Sequence, residues 1–83
     1  MRTIVSIKSM ENFKLLCTFS DGSIKVADTF PYLNGEAFKP LLNPAIFSKV
    51  ENRKLYAEWP AYELDLSADN LWHIGIDTKA VNS

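Results

Sequence analysis

The stretch that decides the fold spans residues 13–28 and reads FKLLCTFSDGSIKVAD. Alternating apolar runs flank Asp21-Gly22, and this pair predicts a β-hairpin, because a type I′ turn needs positive φ at both central residues. A two-residue loop would pair Phe19 with Ile24. Every second side chain shares a strand face, and the opposite face is then polar except for Leu16. The predicted core face consists of Phe13, Leu15, Cys17, Phe19, Ile24 and Val26.

Length and composition indicate one ordinary globular domain. The chain has 83 residues, of which 47% are hydrophobic and 23% charged, which is typical of a folded soluble protein. A single cysteine excludes an internal disulfide. The N-terminus does not have the pattern of a signal peptide, and no apolar run approaches the ~20 residues of a membrane span. We therefore expect a cytoplasmic protein with no membrane contact.

The remaining segments predict short alternating elements. Residues 3–9 read as a first strand with Val5 and Ile7 on one face, followed by a turn at Glu11-Asn12. Helical turns are expected over residues 30–33, capped by Asp28 or Thr29, and at Phe38, Leu41 and Leu42. A helix from Pro44, capped by Asn43, would carry Ile46, Phe47 and Val50.

A second hairpin is predicted over residues 54–66. Leu55, Ala57 and Trp59 would share its inner face, and Leu64 and Leu66 would alternate with Glu63 and Asp65. Ser67 would then begin a helix over residues 68–72. The fold class is therefore α+β, with a mainly antiparallel sheet of about five strands and two or three short helices. We expect one domain over residues 1–72 and a loosely ordered tail over residues 73–83.

Several short motifs follow one another in a recognisable order. They comprise residues 4–5, 19–22, 26–28, 33–35, 38–41, 43–47, 59–60, 64–66 and 67–71, which read IV, FSDG, VAD, LNG, FKPL, NPAIF, WP, LDL and SADNL. In this order and spacing they resemble the small bacterial domain-of-unknown-function family 2442. The resemblance covers roughly residues 3–72. The family often has Asn-Gly after Trp-Pro, where this chain has Ala61-Tyr62.

The resemblance implies a fold and a kind of partner. It implies a small α+β domain with a mainly antiparallel sheet. Genes of the family often lie beside the gene of another small protein, in arrangements that look like toxin–antitoxin pairs. Members stand alone or precede a helix-turn-helix segment. From this resemblance we expect a protein partner, such as a small protein encoded nearby. The sequence has no cluster of Lys and Arg that would indicate binding to a phosphate backbone, so we do not expect direct contact with nucleic acid.

Charge is unevenly distributed along the chain. Residues 1–54 hold eight basic and five acidic side chains, whereas residues 55–83 hold one and five. An acidic surface of this kind is suited to a basic partner. We therefore expect a non-enzymatic protein-interaction module. Its predicted partner-binding residues are Glu58, Tyr62, Glu63, Asp65 and Trp72.

Residues with catalytic potential are few. His73 and Cys17 are single instances of their types, so the sequence lacks a zinc-ligand spacing, and it has no glycine-rich phosphate loop. The alternation of side chains along its strand places Cys17 in the core, where a buried cysteine acts as a small hydrophobic residue. We expect no catalytic residues, no cofactor and no metal.

Two other functions stay open at this point. A carboxylate enzyme would need Asp28 and Asp65 to converge in one pocket. A nucleic-acid adaptor would use the basic residues Lys8, Lys14, Lys25, Arg53 and Lys54.

Overall fold

The computed structural model describes residues 2–78 and shows an α+β fold, as predicted. Seven strands within this range form two antiparallel sheets rather than one sheet of about five strands. The first sheet has the order β1-β2-β3-β7 and the second the order β4-β5-β6. The elements are β1 (Ile4–Met10), β2 (Lys14–Phe19), β3 (Ile24–Asp28), α1 (Pro44–Phe47), β4 (Glu51–Asn52), β5 (Tyr56–Trp59), β6 (Leu64–Ser67), α2 (Ala68–Ile74) and β7 (Ile76–Asp77).

The β2–β3 hairpin exists, but its predicted register is wrong by one residue. The backbone N–H of Phe19 donates to Ser23 O at 2.8 Å and that of Gly22 donates to Phe19 O at 3.0 Å. The loop therefore has three residues, 20–22, and only Gly22, at φ +89°, is left-handed. A type I turn followed by a left-handed glycine needs one such residue instead of two. Asp21 Oδ1 also accepts the N–H of Ser23 at 2.8 Å, which supports this loop.

Because the loop has one more residue than predicted, β3 presents the opposite face to the core. Thr18 pairs with Ile24 and Leu15 pairs with Ala27. Ala27 is therefore buried, while Ile24 is 43% exposed. The predicted core positions of Ile24 and Val26 are wrong, because a shift of one residue sends every side chain of a strand to the opposite face.

A bulge reverses the prediction for β1 in a similar way. The pairing of β1 with β2 shifts between Ile4 and Ser6, and an extra residue at such a point changes which side chains face inward. Ile4 is buried and Ile7 packs against the core, whereas Val5 is 62% exposed. Val5 and Ile7 therefore do not share a buried face.

The second sheet largely follows the predicted alternation. Leu64 and Leu66 are buried on β6, and Ala57 and Trp59 are buried on β5. Trp59 Nε1 donates a 2.8 Å hydrogen bond to Phe47 O, which fixes α1 to this sheet. The prediction for Leu55 is wrong: the residue precedes β5 and is 47% exposed.

Short helical segments connect and extend the sheets. Two 3-10 segments span Phe30–Asn34 and Glu36–Leu42, and Asp28 Oδ1 accepts the N–H of Phe30 at 3.1 Å. Asn43 Oδ1 accepts the N–H of Ala45 at the start of α1, as predicted. The helix ends at Phe47, so Val50, which was predicted within it, lies beyond. It nevertheless packs against the core.

The C-terminal helix is capped as predicted and is longer than predicted. Ser67 Oγ accepts the N–H of Asn70 at 3.1 Å. Helix α2 then continues through the predicted domain boundary at residue 72, and β7 pairs with β3. The rest of the predicted tail, residues 79–83, lies outside the described residues.

One hydrophobic core joins the elements. It draws side chains from the inner faces of both sheets, from the two 3-10 segments and from both α-helices. Thr29 is buried within it and donates its hydroxyl to Phe13 O at 2.6 Å. The buried apolar members are Ile4, Leu15, Cys17, Phe19, Ala27, Leu33, Leu41, Phe47, Ala57, Trp59, Leu64, Leu66, Ala68 and Leu71.

Candidate functional site

Three carboxylates lie in one row across the outer face of the second sheet. Glu51 pairs with Glu58 across β4 and β5, and Glu58 pairs with Asp65 across β5 and β6. Directly opposed side chains on neighbouring strands lie about 5 Å apart and share a face. We call Glu51, Glu58 and Asp65 the carboxylate row.

Arg53 compensates part of this charge. Its Nη2 lies 3.1 Å from Glu51 Oε1, and its Nε donates to Glu58 Oε1 at 2.8 Å. The hydrogen bond with Glu58, and then the charge of Glu51, raise the pKa of the Arg53 guanidinium. Like charges placed directly opposite one another destabilise a sheet, so Arg53 holds these two glutamates together.

Asp65 and Glu63 keep their charges available to solvent. Both side chains are exposed, and neither has an ion-pair partner within 4.0 Å among residues 2–78. Glu63 lies in the turn before β6, with φ 54°, rather than in the strand. The free negative charge is therefore at the β6 end of the carboxylate row.

An open groove adjoins the row. It has a volume of about 330 Å³, and Glu51 lies both in the row and in its wall. Tyr62 lines the same groove and is exposed. Four of the five predicted partner-binding residues, Glu58, Tyr62, Glu63 and Asp65, thus lie on or beside the second sheet. The groove is lined by Ile46, Lys49, Glu51, Trp59, Pro60, Ala61 and Tyr62.

Trp72 belongs to a different cluster, on α2. The Arg2 guanidinium carbon lies 3.7 Å from the centroid of its ring and Lys25 Nζ lies 3.5 Å from it. Lys25 Nζ also donates to Trp72 O at 3.1 Å. Cations over an indole face are attracted by the ring quadrupole, so this half-buried ring is engaged by its own chain.

The residues named for a nucleic-acid adaptor are partly engaged as well. Lys25 contacts Trp72, and Arg53 contacts the carboxylate row. Lys8 and Lys14 lie on strands of the first sheet, and Lys54 occupies a turn with φ 71°. The cations of this set are therefore spread over both sheets.

The two carboxylates named for an enzyme do not share a site. Asp28 lines a groove with Asn12, Phe13, Lys14 and Phe30. Asp65 belongs to the carboxylate row, in the other sheet.

The two side chains with nucleophilic or acid–base potential also lie apart. Cys17 is buried, and burial raises the pKa of its thiol to about 11, so the thiol stays protonated at neutral pH. His73 is exposed on α2, with its ring edge-on to Trp72 at 5.6 Å between centroids.

No group of three or more His, Cys, Asp or Glu side chains within residues 2–78 is placed to hold a metal ion. Among the helices of that range, none has both the length and the apolar character needed to cross a bilayer.

Sequence reasoning missed the role of Glu51 and Arg53. The sequence pattern places Arg53 only among the basic residues and indicates no role for Glu51. The two-residue strand β4 that brings both to the row has no periodic pattern of its own. The sequence signal that could have indicated this ion pair is a basic residue, Arg53, two positions after an acidic one, Glu51, just ahead of the alternating strand β5.

Comparison with known proteins agrees with the resemblance seen in the motifs. No curated protein and no solved structure is significantly similar to the chain. A family model described as "Protein of unknown function (DUF2442)" matches residues 4–77, nearly the whole chain. The chain therefore belongs to the DUF2442 family of proteins of unknown function.

Proposed function

We propose that this protein is a non-enzymatic interaction module that binds a basic surface of a partner protein. The observation that supports this is the carboxylate row, which ends in the free charge of Asp65 and adjoins the groove beside Tyr62. Charges at one edge of a face steer an oppositely charged partner toward it. Exposed tyrosines are common anchors in protein interfaces.

Each part of this site has a separate task. Glu63 and Asp65 raise the rate of encounter, because no cation among residues 2–78 forms an ion pair with them. Arg53 holds Glu51 and Glu58 in place and keeps the outer face of the sheet ordered. Tyr62 and the apolar wall of the groove hold an apolar side chain of the partner and slow dissociation.

The partner we propose is the small protein encoded beside this gene in the source genome. The arrangement would make this chain the antitoxin-like member of a two-protein pair in the cytoplasm. It would then act by covering a basic site on its partner. The family resemblance supports this choice of partner, and the charge of the row supports the mode of binding.

The test compares two double variants that remove the same charge. Glu63→Gln with Asp65→Asn removes the free carboxylates of the site and leaves the pair of Arg53 and Glu58 intact. Glu11→Gln with Glu36→Gln removes two exposed carboxylates elsewhere. Association and dissociation rates with the purified product of the neighbouring gene are measured at low and high salt.

We expect the first double variant to associate more slowly, with a difference that shrinks as salt rises. The second should behave as the wild type, and both should stay folded, because exposed charges contribute little to stability. Tyr62→Ala should raise the dissociation rate. Equal association rates for both double variants at low salt would contradict the proposal, as would salt-sensitive binding to duplex DNA with no binding to the protein.

A further inference from the structure

The outer face of the first sheet carries a group of neighbouring apolar residues among polar ones. Residues paired across strands share a face, and the register places Lys8, Leu16, Val26 and Ile76 in one row on β1, β2, β3 and β7, so that the three apolar residues lie side by side and Lys8 ends the row. Ile24 and Met10 lie on the same face, through their pairing with Thr18 and Lys14. An antiparallel sheet with one side in water normally alternates apolar and polar residues. We call the set Met10, Leu16, Ile24, Val26 and Ile76 the outer patch.

The outer patch lies outside the core that residues 2–78 form. Leu16 and Val26 are half-buried, yet neither belongs to the core cluster or to the partly buried residues packed against it. Ile76 is 56% exposed. The core residues Leu15 and Ala27 point to the other side of the same strands. Apolar surface of this kind, contiguous over several strands, marks interaction sites.

We propose that a second copy of this chain covers the outer patch, so that two first sheets pack face to face about a two-fold axis. The axis runs parallel to the strands, between β2 and β3. A rotation about it places β2 of one copy over β3 of the other and keeps each residue at its level along the strands. Leu16 of each copy then lies over Val26 of its partner.

Charge complementarity argues for a second copy as the occupant. Lys14 and Asp28 face each other at one end of the β2–β3 pair. The two-fold rotation sets Lys14 of each copy over Asp28 of the other, so two attractive contacts form together. The same operation superposes Leu16 on Val26 at the middle of the patch and Thr18 on Ile24 at its far end. It also sets Lys8 of each copy over Ile76 of the other, where the aliphatic part of the lysine can pack and its charge can reach solvent. An isologous interface requires a self-complementary surface of this type.

The dimensions set the expected affinity. Strands lie about 4.8 Å apart and rise about 3.4 Å per residue, so the patch, which covers four strands and four residue steps, measures roughly 15 by 15 Å. A contact of that size is smaller than the roughly 800 Å² per partner of a standard specific interface, so the two copies are held together weakly. The dimer should therefore be reversible, with a dissociation constant in the micromolar range.

Sedimentation equilibrium of the wild type and of two charge reversals tests this arrangement. Lys14→Glu would place two acidic residues over each other at both contacts, and Asp28→Lys two basic ones. Each variant alone should dimerise at least about tenfold more weakly than the wild type. An equimolar mixture of the two should recover the dimer, because both contacts of the mixed pair are attractive.

Controls separate this outcome from changes in folding. Lys39→Glu and Glu36→Lys reverse charges on the second 3-10 segment, outside the patch, and should leave dimerisation unchanged. Asp28 also accepts the N–H of Phe30, so Asp28→Asn serves as a milder variant that can keep this hydrogen bond. Circular dichroism confirms that each variant is folded before its mass is measured.

The outcomes are decisive in both directions. A wild type that stays monomeric from about 5 to about 500 µM, a range that brackets a micromolar constant, overturns the proposal. A dimer that both reversals leave intact overturns it too. A dimer that each reversal weakens but the mixture does not recover overturns the two-fold arrangement. Weakening by each reversal together with recovery in the mixture supports it.

Discussion

The turns of the two central hairpins differ in length by one residue, three in β2–β3 against four in β5–β6, and the outer faces of the hairpins also differ. The β2–β3 hairpin closes with a three-residue loop, and Gly22 takes the left-handed conformation at its end. The β5–β6 hairpin closes with the 3-10 turn Pro60–Tyr62 and left-handed Glu63. In the first, β3 turns its apolar residues outward. In the second, Leu64 and Leu66 stay inside and Asp65 faces the solvent.

This difference teaches that turn length, and not strand composition alone, determines the chemistry of a surface. β3 contains Ile24, Val26 and Ala27, and the smallest of them is the one that is buried. Its larger apolar residues form the outer patch. The β5–β6 hairpin exposes carboxylates instead, so the two sheets offer an apolar face and an acidic face from strands of similar length.

The largest expected effect is the difference in unfolding free energy between alanine variants at adjacent inward-facing and outward-facing positions of each hairpin. Leu15→Ala and Leu64→Ala should each lower the free energy of unfolding by about 2–5 kcal/mol, because each empties part of the core. Leu16→Ala should cost about 1 kcal/mol or less, and Asp65→Ala less than about 0.5 kcal/mol. Urea unfolding at low micromolar protein concentration measures all four. Equal losses for Leu15 and Leu16 would show that the outer patch is packed within the chain.

Much of this fold follows from local sequence signals. Asn43-Pro44 and Ser67 begin helices where their side chains can accept backbone N–H groups, and the alternation of β6 places its residues correctly. The loop at Asp21-Gly22 could not be settled in this way, because an Asp-Gly pair fits both a two-residue and a three-residue turn. The bulge at Ile4 and the two-residue strands β4 and β7 have no periodic pattern to detect.

The candidate site was predictable to a similar degree. The alternation of Asp65 with Leu64 and Leu66 along one strand indicates that Asp65 is exposed. The pairing of Glu58 with Glu51, and the ion pairs of Arg53, depend on a register between β4 and β5 that no local pattern encodes. The cations over Trp72 come from Arg2, ahead of β1, and from Lys25 on β3, both far away in sequence.

An intermediate effect should appear at alkaline pH, through Cys17 on the inner face of β2. Burial raises its thiol pKa from 9.0 to about 11. In the unfolded chain the thiol loses its proton at lower pH than in the folded chain. Its contribution to stability is therefore complete below pH 9 and is lost as pH rises toward 11. Two pKa units correspond to at most about 2.7 kcal/mol.

The measurement is unfolding free energy from pH 8 to 11 for the wild type and Cys17→Ala, since lysines and tyrosines titrate equally in both. The wild type should lose more stability over this range than the variant. Native Cys17 should also resist a thiol reagent at neutral pH and react after unfolding. Parallel pH profiles, or rapid labelling of the native protein, would place Cys17 outside the core.

The smallest expected effect concerns the turns that distinguish the hairpins. Gly22 has φ +89° and no atom within 4 Å of an added Cβ, so Gly22→Ala isolates the backbone penalty of a left-handed residue. We expect a loss of about 1–2 kcal/mol. Gly35 has equally open surroundings but φ −77°, and Gly35→Ala should be neutral or stabilise by up to about 1 kcal/mol.

Glu63→Gly completes this comparison from the other hairpin. Glycine removes the backbone strain of a glutamate at φ 54°, which stabilises the folded state. It also gives the unfolded chain more conformational freedom, which destabilises the folded state. These terms oppose each other, so the net change should stay within about 0.5 kcal/mol. Thermal unfolding of Gly22→Ala, Gly35→Ala and Glu63→Gly in the same buffer measures these three changes in stability. If Gly22→Ala and Gly35→Ala were equivalent, the loop would not need a left-handed residue. The three-residue turn, and with it the outward orientation of Ile24 and Val26, would then be wrong.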